Sequence, residues 1–587
     1  KETMRGKSEL VQTGDAAKQT SSGLDRDYIT QWSYGIGETL TLLVPNMKGG
    51  ASVPLSQSST AMAKANPQYS SLYSSLTQYF GDQPMTAGPV YVGAFVLFLF
   101  FLGCFIVKGP MKWALVVATI FSIVLSWGKN FMPVTDFFID YVPMYSSFRT
   151  VSSILVIAEF TIPLLGIMAL KKIIDEPQVL KEQVKALCFS LALTAGLALL
   201  IWLAPGMFTD YIPTQEAQML QNAVNQQMIP ADMLSGIMAN LGEMREALVT
   251  SDALRSFFII IIGVNIIGLY KLGKLRKELT IGGIILLCIV DMWTVNKRYL
   301  YDDQFVSPSI RTDSFVKTAT DEEILQDKAL DYRVLNFATS TFNENQTSYW
   351  HKSVGGYHAA KLRRYQELID HHISSEMQEV YREVVSAGGE MEEVDGSLFP
   401  VLNMLNTRYF VFPIGDKGET VPVQNPYALG NAWFVNQVMY VANANEEIAA
   451  LSSFKPYTTA VVDGRFKASL HDASILTADS TANITLQTYE PNHLRYSTSN
   501  TQDGVAVFSE IYYPDGWQVT IDGQPAEMAR ANYVLRALYI PAGEHTVEMT
   551  FDPKSLHTTE TLAYAGYGLF LLGLIGLIWK KRKELTK

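Results

Sequence analysis

The chain has 587 residues, 48% of them hydrophobic and 18% charged, with a formal net charge of -11 at pH 7. The acidic balance argues against nucleic acid as a partner, because a phosphate track calls for a basic face. A mean hydropathy of only +0.10 is what results when membrane spans and large polar segments average out.

In chain order, seven apolar stretches stand out: Pro89–Val107, Trp113–Trp127, Val151–Leu170, Ala186–Leu203, Phe257–Tyr270, Leu279–Val295 and Leu562–Trp579. A helix needs about 20 apolar residues to cross roughly 30 Å of hydrocarbon, so the shorter stretches must borrow from their flanks. Basic residues crowd alternate connections: Lys108 and Lys112; Lys171, Lys172, Lys181 and Lys185; Lys271, Lys274, Arg276 and Lys277; and the tail from Lys580 to Lys587. The positive-inside rule places these in the cytoplasm and everything else outside. An outside N-terminus without Met or a signal-like apolar core predicts an earlier crossing upstream of Lys1. The chain therefore reads as an N-terminally truncated fragment of a multi-pass protein of the cytoplasmic (inner) membrane.

The predicted layout is an extracytoplasmic segment over 1–88 and a region of six transmembrane helices over 89–297. An extracytoplasmic α+β domain over 298–475 and a β-sandwich over 476–557 follow. A last transmembrane helix over 562–579 and a basic cytoplasmic tail over 580–587 complete it. Residues 52–88, rich in Ser, Gln and Tyr, read equally as a linker or as a loop with a short helix lying over the membrane. In the α+β part, Tyr332–Asn336 reads as a strand, and Ala359–Ile373 has helical periodicity through Leu362, Tyr365, Leu368 and Ile369. From about Thr481 short alternating runs appear: Ile484–Thr488, Leu494–Thr498, Val505–Tyr513, Trp517–Ile521, Tyr533–Ile540 and His545–Phe551. Asp522-Gly523 and Pro541-Ala542-Gly543 punctuate them as turns, which predicts the antiparallel sandwich. The three cysteines, Cys104, Cys188 and Cys288, fall within predicted spans and are poor disulfide or metal candidates. No confident cofactor emerges.

Ionisable groups in or beside spans cost several kcal/mol of desolvation unless they face a polar cavity. Arg149 at the outer rim of the third span can clamp a lipid phosphate through two parallel hydrogen bonds, or snorkel at the interface. Glu159 and Asp291, both in outer halves of spans, could bind a divalent ion, accept a proton or form structural ion pairs; metal use stays open. The densest constellation runs from Tyr349 to Gln366. It holds His351, Lys352, Gly355-Gly356, His358, Lys361, Arg363, Arg364 and Tyr365, where a Gly-Gly turn opening a helix could cradle an anion. His358, Lys361 and Tyr365 would share one helical face, and His371-His372 are a weak metal signal. The bland alternative is a solvated basic helix with structural histidines. Asp25, Asp27 and Glu38 lie near Trp32 and Tyr34 and carry low weight.

Several of these residues resemble the YfhO-type bacterial integral membrane proteins. The resemblance rests on Tyr28-Ile29-Thr30-Gln31-Trp32-Ser33-Tyr34-Gly35 with Pro45 and Gly49-Gly50, on Phe148-Arg149, and on His351-Lys352-Ser353-Val354-Gly355-Gly356-Tyr357-His358. It continues through Leu405-Asn406-Thr407-Arg408-Tyr409 and Phe508-Ser509-Glu510-Ile511-Tyr512-Tyr513-Pro514-Asp515-Gly516-Trp517. It implies a GT-C-like polytopic α-helical membrane protein with an extracytoplasmic α+β region and C-terminal β-sandwich. Its implied activity is sugar transfer from a polyprenyl-phosphate donor to a cell-envelope glycopolymer, lipid or protein. In such enzymes the catalytic acid lies in the first outside loop, so the general base is expected upstream of Lys1 and the fragment is expected to be inactive alone. Arg149, His351, Lys352, His358, Lys361 and Arg364 are candidates for the donor phosphate, and Tyr512, Tyr513 and Trp517 for the acceptor. A single base would suffice for an inverting transfer.

Two other classes compete. A lipid-linked glycan flippase would use the intramembrane acids as a relay; the spans show no obvious broken-helix pairs, although Pro163 near Glu159 could interrupt one. A non-catalytic scaffold would bind envelope glycans through exposed aromatics, although alternating aromatics are more often core.

Overall fold

The structure, a computed structural model, describes residues 8–10, 24, 26–226, 229–308, 315–358, 361–415 and 418–585. Residues 17–307 form one compact unit, and residues 308–587 with 3–16 form a second.

In the first unit, four helices are long and apolar enough to cross a membrane: Val151–Asp175, Val184–Leu203, Ala231–Lys271 and Lys277–Asn296. The second unit contributes a fifth, Lys554–Glu584. Against the seven stretches read from the sequence, five helices among the described residues have the length and apolarity of a span, or six if the bent pair Pro110–Ser126 and Gly128–Tyr141 is one. The first predicted span shrinks to Ala94–Ile106, whose 13 residues reach about 20 Å at 1.5 Å per residue. It is apolar because other helices surround it. A Cβ on Gly103 would stand 3.0 Å from Leu165 and 3.3 Å from Ala169, and one on Gly263 would stand 2.2 Å from the Phe95 ring. Small residues at these crossings let the backbones approach.

The second predicted span, Trp113–Trp127, coincides with the end of one helix, Pro110–Ser126. After Ser126 the chain turns by 108° into Gly128–Tyr141, a break that hydropathy alone did not reveal. The expected interruption at Pro163 is absent: Val156–Asp175 is one helix with that proline inside. The connection between the fourth and fifth predicted spans, read from the sequence as an outside loop from Ala204 to about Ser256, is not all loop: its second half extends the fifth predicted span into one helix, Leu234–Lys271. Ile237, Leu241, Met244 and Leu248 recur at helical spacing and pack with Leu55, Tyr69 and Tyr73. That burial holds the extension helical and turns residues 52–76 from a linker into a packed layer.

The second unit carries a β-rich region of several sheets. A mixed sheet has the order β2-β1-β3-β4, from β1 (Arg333–Asn336), β2 (Lys352–Ser353), β3 (Thr407–Ile414) and β4 (Glu419–Gln424). β6 (Gln437–Val441) and β7 (Thr459–Asp463) pair in parallel. An antiparallel sheet β13-β14-β10-β5 combines Ala529–Ala531, Leu535–Ile540, Gly504–Ile511 and Ala432–Val435. Another, β12-β11-β15-β9-β8, combines Gln524–Pro525, Trp517–Ile521, Gly543–Phe551, His493–Asn500 and Asn483–Glu490. Phe508 and Leu538 from the first of these antiparallel sheets share a buried cluster with Tyr496, Val519 and Val547 from the second. Side chains two apart on a strand face the same way, so Ala506 with Phe508 and Leu538 with Ile540 supply that shared apolar face.

All six runs read from the sequence are strands, with shifted ends. Asp522 and Gly523 take φ of 51° and 76°, the paired left-handed turn that an Asp-Gly hairpin requires. Tyr533 is corrected from strand to turn. It sits at φ 70° beside Asn532 at 49°, held there because its N–H donates to Glu447 and its hydroxyl to Glu367.

Candidate functional site

In the first unit, the segment from Arg26 to Glu38 crosses the helix break and is tied to it at each step. Arg26 pairs with Asp136 and Asp140. The Lys129 N–H donates to Ser33 Oγ at 2.8 Å, Tyr34 N–H to the Ser126 carbonyl at 2.8 Å, and Asn130 Nδ2 to the Tyr34 carbonyl at 2.9 Å. Gly128, at φ 45°, lies so close that a Cβ would meet Ser33 Oγ at 2.1 Å. The bend therefore depends on a residue without a side chain.

Glu38 ends this segment and is buried. It accepts from the Gly35 N–H at 2.6 Å and from the Tyr79 hydroxyl at 2.5 Å. A Cβ on Gly81 would stand 2.1 Å from its Oε1, and one on Gly35 3.1 Å from its Cγ. Burial pushes the Glu38 carboxyl above its usual range despite the Tyr79 bond, and burial also lowers Lys48. Lys48 donates to Thr209 Oγ1 at 2.7 Å and lies over Phe80. The space among Tyr34, Glu38, Lys48 and Tyr79 is about 10 Å³, room for roughly one water. From Tyr79 a bonded chain leads outward: Gln83 N–H donates to the Tyr79 hydroxyl at 2.9 Å, and Ser152 Oγ donates to Gln83 Oε1 at 3.3 Å.

Three residues before Ser152, Arg149 is exposed beside the start of the Val151–Asp175 span. Its guanidinium lies 5.3 Å from the Tyr28 ring centre and 5.2 Å from that of Trp32, and it donates to the Tyr28 hydroxyl at 2.9 Å. No described carboxylate stands within ion-pair distance of it. The two cation–π contacts and the bond to Tyr28 restrain the guanidinium while leaving other donor N–H groups available for an anion.

The intramembrane acids are not brought together as a metal site. Asp291 is buried and taken up by Arg255 at 2.5 Å, the Tyr91 hydroxyl at 2.8 Å and the Ala94 N–H at 3.1 Å. Glu159 is exposed on its helix, near enough to Tyr34 to add to the upward push that burial gives that phenol. Among the described residues, no group of three or more His, Cys, Asp or Glu is placed to hold a metal ion.

In the second unit, the predicted basic cluster is engaged with carboxylates. His351 Nε2 lies 2.9 Å from Asp321. Lys352 donates to Asp331 at 3.0 Å, Glu510 at 2.9 Å and the Tyr489 hydroxyl at 2.7 Å. Arg363 pairs with Glu367, and Arg364 with Glu447 and Glu9. Lys361 lies over Phe342, and His358 is exposed. The Gly-Gly turn does not open a helix: Gly356 N–H donates to the Thr341 carbonyl, and the helix begins only at Arg363. His358 and Lys361 precede it, so the shared helical face with Tyr365 is not formed; residues 359–360 lie outside the described residues. His372 is buried against the Ile448 carbonyl and His371 is exposed. Asp25 lies outside the described residues.

Residues 473–562 match the family model described as bacterial membrane protein YfhO. Over this stretch the chain is similar to that family. No curated protein and no solved structure matches the chain. YfhO is a membrane protein family, and the match is consistent with a place among GT-C-like glycosyltransferases. Within the YfhO-matched stretch, Tyr512 packs edge-on against Phe466, while Tyr513 and Trp517 contact Phe551. Trp517 also carries the Arg536 guanidinium 4.0 Å from its ring centre. All three are half-buried and serve packing first.

Sequence reasoning missed Arg245. It is fully buried, forks onto Glu216 at 2.5 and 2.9 Å, and donates to the carbonyls of Tyr211 and Thr77. The signal available was a charge inside an apolar helical repeat, in a segment taken as loop.

Proposed function

We propose that the chain serves a membrane glycosyltransferase that moves a sugar from a polyprenyl-phosphate donor to a cell-envelope glycopolymer, lipid or protein. The reading places both antiparallel sheets, as a sandwich, on the outer face of the cytoplasmic membrane with the basic tail inside. Arg149 carries it. That arginine stands exposed at the head of a candidate span, in cation–π contact with two aromatics and unopposed by a described carboxylate. A leaving lipid phosphate gains negative charge as the glycosidic bond breaks, and a preorganised guanidinium at that depth stabilises it. Glu38, through Tyr79, Gln83 and Ser152, is a positioning residue for the turn that bears Arg149. We take the transfer to be inverting, with one base activating the acceptor.

A flippase would use paired discontinuous helices; among the described residues there is one such break, which leaves transfer the better-supported reading. The test is transfer of labelled sugar from polyprenyl-phosphate donors in membranes containing the full-length protein. Loss of two charge-assisted hydrogen bonds at about 1.5 kcal/mol each or more predicts a fall of at least about 100-fold for Arg149→Ala. Arg149→Lys should recover part of it. Unchanged transfer in Arg149→Ala, or a product retaining the donor's anomeric configuration, would overturn the respective claim.

A further inference from the structure

We propose that the open edge between β5 and β8 is a binding cleft for a neutral saccharide. β5 and β8 are the outer strands of the two antiparallel sheets, and between them lies a cleft of about 270 Å³. That is near the lower end of the roughly 300–1,000 Å³ of small-ligand sites and suits about one or two sugar units.

Its mainly polar lining includes an apolar, aromatic floor element. Phe434 and Ile484 are partly buried members of the shared core. The Phe434 ring packs against Gly504, where a Cβ would stand 2.9 Å from the ring. A pyranose presents such a floor with its C–H face.

Its rim is polar and amide-rich. Asn436, Asn483 and Gln502 are exposed in the lining, and no described group engages the side-chain amides of Asn436 and Gln502. Asn500 is buried; its Nδ2 donates to the carbonyls of Gln502 at 2.8 Å and Pro541 at 2.7 Å, which fixes the amide's orientation and leaves Oδ1 without a partner. Amides both donate and accept, as hydroxyl groups require.

The charges in the cleft exclude its rivals. Among the described residues no Lys or Arg lines it, so an anionic ligand finds no counter-charge there. Asp479 receives four hydrogen bonds, from the N–H and Oγ1 of both Thr481 and Thr501. These use the four acceptor positions of a carboxylate, so Asp479 braces the rim instead of coordinating a cation. Asp503 accepts from the Tyr539 hydroxyl at 2.6 Å and the Ala542 N–H at 2.8 Å, which leaves it acceptor capacity for a sugar hydroxyl. A neutral, polyhydroxylated ligand with one apolar face fits this set.

The inference stands without the transfer reading; where both hold, the cleft presents the acceptor. The experiment is saturation-transfer NMR on the full-length protein in detergent micelles with maltotriose, cellotriose, laminaritriose and chitotriose, and with glucose 6-phosphate as the anionic probe. The expected result is saturable binding of at least one neutral trisaccharide, weakened about tenfold or more by Asn436→Ala with Gln502→Ala. Both positions are exposed, and an unchanged melting profile establishes that the double variant folds. Absence of saturable binding by all four, equal binding by the double variant, or tighter binding of glucose 6-phosphate overturns the proposal. The readout is independent of transfer, so loss of transfer with retained saccharide binding would count against the glycosyltransferase reading alone.

Discussion

Replacing Lys352 by Met separates a structural charge from a substrate-binding one. Lys352 Nζ sits among Asp331, Glu510 and the Tyr489 hydroxyl, and the Asp331 side chain is only 4% exposed and that of Glu510 13%. Met keeps the aliphatic stem and removes the charge, leaving two poorly solvated carboxylates without that cation. Breaking such a pair from one side costs about 3–5 kcal/mol, and the lower end applies because the lysine itself is partly exposed. In a unit of this size about 3 kcal/mol lowers the melting temperature by roughly 5–10 °C. The pH dependence gives a second signature. Burial pushes Glu510 up, but Lys352, Arg333 and Arg536 outweigh it and hold the carboxyl below its usual range. A depressed folded-state pKa contributes stability above the unfolded value and loses it as pH falls through the folded one. In Lys352→Met that contribution shrinks, so the deficit against wild type should be largest near neutrality and narrow on acidification. Thermal melts of the detergent-solubilised protein followed by tryptophan fluorescence from pH 4 to 8 would measure both. A melting temperature unchanged at neutral pH, together with weakened donor binding, would refute the argument and return Lys352 to the phosphate site.

Arg245→Leu should destabilise the first unit by about 3–5 kcal/mol, because it strands Glu216 and two carbonyls around a buried position; chemical denaturation against wild type checks this, and a loss under about 1 kcal/mol would contradict it. Gly81→Ala should cost about 1–3 kcal/mol and break the Glu38–Tyr79 bond, since its Cβ has no room; hydrogen exchange at Gly35, whose N–H Glu38 holds, should rise. Glu376 is buried with its carboxyl pushed up to about 8, while accepting from the N–H groups of Val401 and Leu402. A raised folded pKa means stability is full below the unfolded value and declines as pH climbs towards about 8, by up to ~1.4 kcal/mol per unit. Glu376→Gln should flatten that slope, and an unaltered slope would exclude Glu376 as its source.

Periodicity exposed much of the fold before any coordinates. Strands such as Leu494–Thr498 and His545–Phe551 alternate because one face meets a core, and that signal is local. The Val151–Asp175 and Lys277–Asn296 spans were equally legible from apolar length. What escaped was decided at long range. Ala94–Ile106 looks like a span because a helix enclosed by other helices is as apolar as one facing lipid. The 108° turn after Ser126 depends on Ser33 fitting against Gly128, residues remote in sequence. The helical extension over 234–256 was hidden because Arg245, Glu246 and Asp252 break its apolar stripe, and their partners Glu216 and Arg298 lie elsewhere in the chain.

The same reasoning explains why charge density was a poor guide to the site. The segment 351–364 is dense in cations, yet Asp321, Asp331, Glu447 and Glu510 come from distant positions, and Glu367 from one helical turn on, to meet them. A cation matched by buried acids has its field spent within the fold, and recruiting it for a ligand would mean displacing an existing partner at several kcal/mol. Arg149 differs in kind. Tyr28 and Trp32 contact it through cation–π interactions and the Tyr28 hydroxyl, which restrains the guanidinium without neutralising it. An aromatic clamp on an exposed arginine therefore carries more functional weight than a run of basic residues, and in this chain it lies where a lipid phosphate would stand under the proposed topology.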